Sequence, residues 1–356
     1  MPETIPTDGA RRSDAIAIAR VICILGVVYV HAWTGANGEA LELLRGTAQE
    51  NLRWTLMEVF GRSAVPLLGL ISGWLVAGSG RTRDWPSHVR RKAKTILLPM
   101  VLWNIIAIIL VSGAVRTFGL AAPVPQSVWW TIDEIFIITR NPDINVQMPF
   151  LRDLFLCMMI APLLVRLPLW GVGMVAVLAA AAQIAGLGPP ILMRASILFF
   201  FAIGMIVRRA DVEERIARLP WAVALTPFIL FMAAQLYREM NGAAWDADLI
   251  RALDLTVRVA AAVAFWRIAW GLAASPMRGT LLRIEPFVFL LFCVHLILIW
   301  LGGPLLGHIF GRVGSPLFPI YLLFQPLIVL GVTIAIGLGL RRAAPAAART
   351  LSGGRL

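Results

Sequence analysis

Arg20 and His31 stand eleven positions apart in one uninterrupted apolar run, Ala15 to Trp33. At 100° per residue, eleven steps make three turns plus about 20°, which puts both side chains on one helix face ~16 Å apart along the axis. That face carries a fixed cation towards one end and a titratable imidazole towards the other. Ionisable groups inside apolar runs are costly to bury and are functional candidates by default. A structural reading stands beside this one: Arg20 snorkels to one interface, and His31 caps the helix or meets water at the other.

Further residues of the same kind follow. The second apolar run contains Arg62, four residues after Glu58, then Pro66 and Ser72-Gly73. The i,i+4 spacing allows an ion pair within the helix. Pro66 frees a backbone carbonyl and Ser72-Gly73 permits close helix approach, features that often line a cavity. A cationic stretch, Arg90, Arg91, Lys92 and Lys94, precedes Pro99. It serves as a topology determinant or as a phosphate site, since clustered Arg and Lys match phosphate oxygens. Arg152 and Asp153 are consecutive on a predicted helix and face different directions, so each is expected to find another partner, with the outer halves of the first two spans as candidates. His295 lies deep in a late apolar run, after Glu285-Pro286-Phe287, where a satisfied core histidine is the simpler reading. Cys23, Cys157 and Cys293 all fall in apolar runs without metal-ligand spacing and read as small buried hydrophobes.

The elements that position these residues are set by composition. Of 356 residues, 59% are hydrophobic and 15% charged, against roughly a quarter charged in soluble domains. Apolar runs of about 20 residues cross a ~30 Å hydrocarbon core only as helices. The expected fold is therefore all-α, a polytopic integral membrane bundle of about ten transmembrane helices. The spans fall near 15–33, 55–78, 94–114, 149–166, 169–187, 191–208, 219–237, 252–273, 285–306 and 317–340. With the N-terminus in the cytoplasm, 19 basic residues face inward and 8 outward, the bias the positive-inside rule requires. Both termini are then cytoplasmic. The net charge of +12 is spread over short loops, which argues against a nucleic-acid partner. No cleavable leader pattern is present, because the first run is too long and lacks a small-residue cleavage site. In the long loop 115–148, Ser127 to Thr139 is expected to form a short interfacial helix with Trp129 and Trp130 at the membrane surface. Residues 1–13 are expected as a cytoplasmic segment, 14–340 as the membrane domain and 341–356 as a disordered cytoplasmic tail.

Taken in order, these motifs resemble the acyltransferase-3 family of multispan membrane O-acyltransferases, of the exopolysaccharide-modifying type. Arg20 with ten intervening residues before His31 is similar to that family's first-span motif, and Arg62 to Trp74 to its second. Arg91-Lys92-Ala93-Lys94 before Pro99 is similar to its basic cytoplasmic motif, Phe150 to Leu154 to its "W-F-L-R-D-L" block, and Phe199 to Gly204 and Phe287 to His295 to later patterns. Pro149 stands where tryptophan is usual, Leu68-Gly69 replaces an aromatic, and no hydrolase-like domain is seen after the last span. The resemblance implies a multi-pass protein of the bacterial inner (plasma) membrane, with no permanently bound cofactor. An acyl group, acetyl or succinyl, passes from cytoplasmic acyl-CoA to a hydroxyl of an envelope or exported polysaccharide or glycolipid. His31 is then general base or acyl carrier, and Arg20 positions the donor. Arg62, Ser72, Arg152, Asp153 and His295 contact substrate or stabilise an oxyanion, Asp153 also serving to orient an imidazole or an arginine. Arg90, Arg91, Lys92 and Lys94 hold the nucleotide phosphates. The rival reading is a multispan transporter or flippase of an anionic or sugar-linked substrate, which charged midplane residues and proline-broken helices also fit.

Overall fold

The computed structural model describes residues 8–36, 38–188, 191–241 and 245–356. Most of the expected segment 1–13 lies outside them. Among the described residues every regular element is helical. A helix occupies each of the ten predicted intervals. They are α1 (Asp8–Val30), α2 (Ala48–Ala77), α3 (Trp85–Phe118), α5 (Pro149–Leu164), α6 (Leu169–Ile184), α7 (Ala195–Ala210), α8 (Trp221–Asn241), α9 (Ala247–Leu272), α10 (Arg278–Phe310) and α11 (Phe318–Ala343). The short α4 (Val128–Phe136) lies between α3 and α5. Six of the ten, namely α1, α2, α3, α8, α10 and α11, are long and apolar enough to cross a membrane. Helices α5, α6 and α7 have 16 residues each, about 24 Å of rise. Helix α9 is longer but carries Asp248, Arg251, Asp254, Arg258 and Arg267.

Helix α1 is the hub, packed against α2, α9, α10 and α11. It runs parallel to α10, and three pairs at nearly constant sequence offset hold the register. Arg278 Nε donates to Asp14 Oδ2 at 2.7 Å, Arg20 Nη1 donates to Glu285 Oε1 at 3.1 Å, and the rings of His31 and His295 stand 5.4 Å apart.

Close backbone approach sets the rest of the core. Between α2 and α7, a Cβ on Gly73 would lie 1.9 Å from Phe201 O, and one on Gly204 would lie 1.9 Å from Leu70 O. Between α1 and α2, a Cβ on Gly26 would lie 1.9 Å from Phe60 O. The Ser72-Gly73 pair thus does permit the close packing its composition suggested. Leu56–Arg62 winds as a π-helix, a distortion common at functional sites. The three cysteines are buried and free.

Two expectations about the loops need correction. Helix α4 forms with Ser127 as its N-cap, the Oγ accepting from Trp130 N at 3.0 Å, but only Trp129 is exposed. Trp130 is 7% exposed, because its Nε1 donates to Asp143 Oδ2 at 2.9 Å inside the folded loop. The segment 341–356, expected to be disordered, instead contains α12 (Pro345–Leu351), which packs against α3 and α11. Its alanines are small enough to nest between longer helices, and Trp103 Nε1 donates to Leu351 O at 3.0 Å.

Candidate active site

His31 is the first residue past α1, its amide still donating to Val28 O at 3.2 Å. Gly26 and Gly61 let α1 and the π-helical turn of α2 touch, which brings Arg62 to the same level. His31 lies within electrostatic reach of His295, Arg194 and Arg62. The His295 ring is wholly buried. Its Nδ1 sits 3.1 Å from Leu291 O and 2.9 Å from Phe292 O. Both partners are carbonyls, so Nδ1 carries the hydrogen and Nε2 holds the lone pair. That Nε2 is buried without a hydrogen-bond partner. The core-histidine reading therefore accounts for one nitrogen and leaves the other buried without a partner.

On the chain-terminus side of the histidines lies a half-open cavity of about 140 Å³ among α1, α2, α3, α5 and α10. Arg20, Ser72, Lys92 and Glu285 line it, together with Arg355. Phe150 and Phe292 line it too, their rings 5.8 Å apart. The ring of Phe292 is in turn 6.2 Å from that of His295. Ser72 Oγ donates to Leu68 O at 2.7 Å, so its hydroxyl serves the helix backbone at the cavity wall. The basic stretch divides. Lys92 turns into the cavity, whereas Arg90, Arg91 and Lys94 line an open surface groove of about 590 Å³ with Asp84 and Ser87.

At the opposite end of the bundle, α2, α8 and α9 enclose a polar cleft of about 510 Å³. Glu58, Arg62, Gln235, Asp254 and Arg258 line it. Arg62 Nη1 donates to Glu58 Oε1 at 2.7 Å, the pair its spacing allowed, and the arginine side chain remains about half exposed to the cleft. Arg258 clamps Asp254 through two hydrogen bonds, at 2.7 and 2.9 Å, and donates to Arg62 O at 3.2 Å.

The Arg152–Asp153 expectation is overturned. Arg152 Nη1 donates to Asp153 Oδ1 at 2.7 Å and to Ile191 O at 3.0 Å. Asp153 in turn accepts from Met193 N at 3.1 Å and Arg194 N at 2.8 Å. In the first turn of α5 a long arginine can fold back over its neighbour when both meet the same loop, a contact that Cβ directions alone do not reveal. Among the described residues, the hydrogen bonds of Asp153 go to Arg152, Met193 and Arg194 and none to an imidazole. The carboxylate instead fixes the turn that delivers Arg194 towards His31. Arg194 and Arg258 entered the sequence analysis only in the charge balance. Their signal was position, an arginine immediately before one apolar run and another inside a second.

The profile of the family described as "Acyltransferase domain" (Acyl_transf_3) matches residues 13–340. The chain belongs to the acyltransferase-3 family. As a member it is an all-α, multi-pass membrane acyltransferase, an enzyme that transfers acyl groups other than aminoacyl groups. It is similar to the "Succinoglycan biosynthesis protein ExoH" of Rhizobium meliloti (strain 1021), at 30% identity over 368 residues, covering 97% of this chain and 93% of that protein. No solved structure gives a significant match. Within this acyltransferase the cationic cavity and the two histidines follow one another along α1 and α10, and the polar cleft lies among α2, α8 and α9.

Proposed function

We propose that this enzyme moves an acetyl or succinyl group from cytoplasmic acyl-CoA to a hydroxyl of an exported or envelope glycan, at the opposite face of a bacterial plasma membrane. One observation carries the reading: the His31–His295 pair, 5.4 Å between centroids, stands further along the two helices that line the cationic cavity, with Arg62 of the polar cleft in electrostatic reach of His31. The cavity cations Arg20 and Lys92, with the groove cations Arg90, Arg91 and Lys94, suit the phosphates of a nucleotide donor. The cleft, with carboxylates and guanidiniums side by side, suits sugar hydroxyls. The relative's name, which refers to the biosynthesis of a glycan, supports that acceptor.

In this mechanism His31 takes the proton of the acceptor hydroxyl. The alkoxide oxygen attacks the thioester carbonyl, the tetrahedral oxyanion collapses, and the thiolate of CoA leaves and takes up a proton. Base assistance of this kind contributes ~10²–10⁴-fold. Arg62 and Arg194 lie on the side where the oxyanion forms and stabilise it. Asp153 acts through Arg194 as a positioning residue. Both chain termini face the cytoplasm, as the distribution of basic residues requires.

The test supplies membranes or purified enzyme with labelled acyl-CoA and measures label in the glycan by mass analysis. The wild type is expected to transfer label, and His31→Ala to transfer none while reaching the membrane at normal levels. Retained acylation in His31→Ala would remove the mechanism. Glycan flux without acyl incorporation would point to a carrier instead.

A further inference from the structure

Residues 345–356 fold back into the bundle. After α12, Gly353 turns with φ +62°, and a Cβ there would lie 2.4 Å from Thr95 O, so the turn admits only glycine. Ser352 Oγ accepts from Arg355 N at 3.2 Å and from Leu356 N at 3.0 Å. The turn delivers Arg355 to the inner cavity, its guanidinium carbon 4.0 Å from the centre of the Phe289 ring and its Nη1 donating to Ser352 O at 3.2 Å. The Arg355 side chain is exposed where it lines the cavity.

The charges in that cavity do not balance. Its single lining carboxylate, Glu285, pairs with Arg20. Among the described residues no carboxylate lies at ion-pair distance from Lys92 or Arg355. Arg20, Lys92 and Arg355 lie close enough to repel one another. Cations gathered with one carboxylate among them raise each other's energy, and an arriving anion relieves that repulsion.

We propose that Arg355 is a donor-binding residue that holds, with Lys92, an oxyanion of the acyl donor inside the cavity. The planar guanidinium, stacked on Phe289, is suited to a two-point hold on phosphate or carboxylate. Two parts of an acyl-CoA carry that chemistry: a phosphate, and the terminal carboxylate of a dicarboxylic acyl group such as succinyl. The inference rests on the reading of this cavity as the donor entrance.

The experiment uses the full chain purified in detergent and compares wild type, Arg355→Gln and Arg355→Lys. CoA release from acetyl-CoA and succinyl-CoA, with the cell's own glycan fraction supplied as acyl acceptor, gives KM and kcat, and thermal stabilisation by CoA reports binding separately. Arg355→Gln is expected to raise the donor KM by about tenfold, the loss of one charged hydrogen bond, with kcat within about twofold. Arg355→Lys is expected to recover most of the loss. A rise with both donors identifies phosphate as the anion, and a rise with succinyl-CoA alone identifies the carboxylate. An unchanged KM in an active Arg355→Gln enzyme overturns the proposal. So does a fall in kcat at constant KM that lysine does not rescue, which marks a structural tail. If Arg355→Gln does not fold, a wild-type donor KM in Arg355→Lys, with Lys92→Gln raising it, supports the site; an unaffected Lys92→Gln removes it. A wild type that releases no CoA and gains no stability from it instead fails the donor reading itself.

Discussion

The two imidazoles differ in what their nitrogens are free to do. His295 is held by two backbone carbonyls, so its tautomer and ring angle are fixed. His31 stands past the end of its helix, within electrostatic reach of Arg194 and Arg62. His31→Ala is therefore expected to reduce transfer to background. His295→Ala is expected to lower kcat by about tenfold to a hundredfold, within the range of general acid–base assistance, and a rate equal to that of His31→Ala would show that both share the proton transfer. Asp153 is wholly buried and takes two loop amides. Asp153→Ala is expected to cost about 1–3 kcal/mol through the orphaned donors, read as a lower unfolding midpoint in detergent. The residue types of the site were legible in the sequence: Arg20, His31, Arg62 and Lys92 all meet cavities or the histidine pair. Their pairings were not. Asp153 finds its partners about forty positions away, at Met193 and Arg194, a loop contact with no periodicity to announce it.

Among the elements, the long apolar runs announced their helices, because lipid leaves the backbone no other way to satisfy itself. The π-helical turn at Leu56–Arg62 and the folded-back α12 had no such signal. Helix α12 is held by packing against α3 and α11 and by the hydrogen bond from Trp103 on α3. The glycine seam between α2 and α7 makes a sharp forecast. A methyl at Gly73 or Gly204 meets a backbone carbonyl, so Gly73→Ala and Gly204→Ala are each expected to destabilise by about 1–3 kcal/mol from overpacking. Gly113→Ala, which meets nothing within 4 Å, is the control and is expected to hold its melting temperature. Equal melting curves for all three would show that the seam relaxes freely.

At the scale of the whole molecule, the orientation is open to direct test because the native cysteines are buried and give little background to thiol reagents. Leu43 is 87% exposed near the polar cleft. Leu43→Cys is expected to react with a membrane-impermeant maleimide on intact cells, and Arg83→Cys only after lysis. The opposite result would invert the topology and separate the cavity from cytoplasmic CoA.

The cavity and the cleft share no lining residue. On the proposed reading, carbon is handed from one face of the bilayer to the other between two separate compartments and not through one open channel. A cell that decorated its surface in this way would spend thioester on each turnover and none of its proton-motive force.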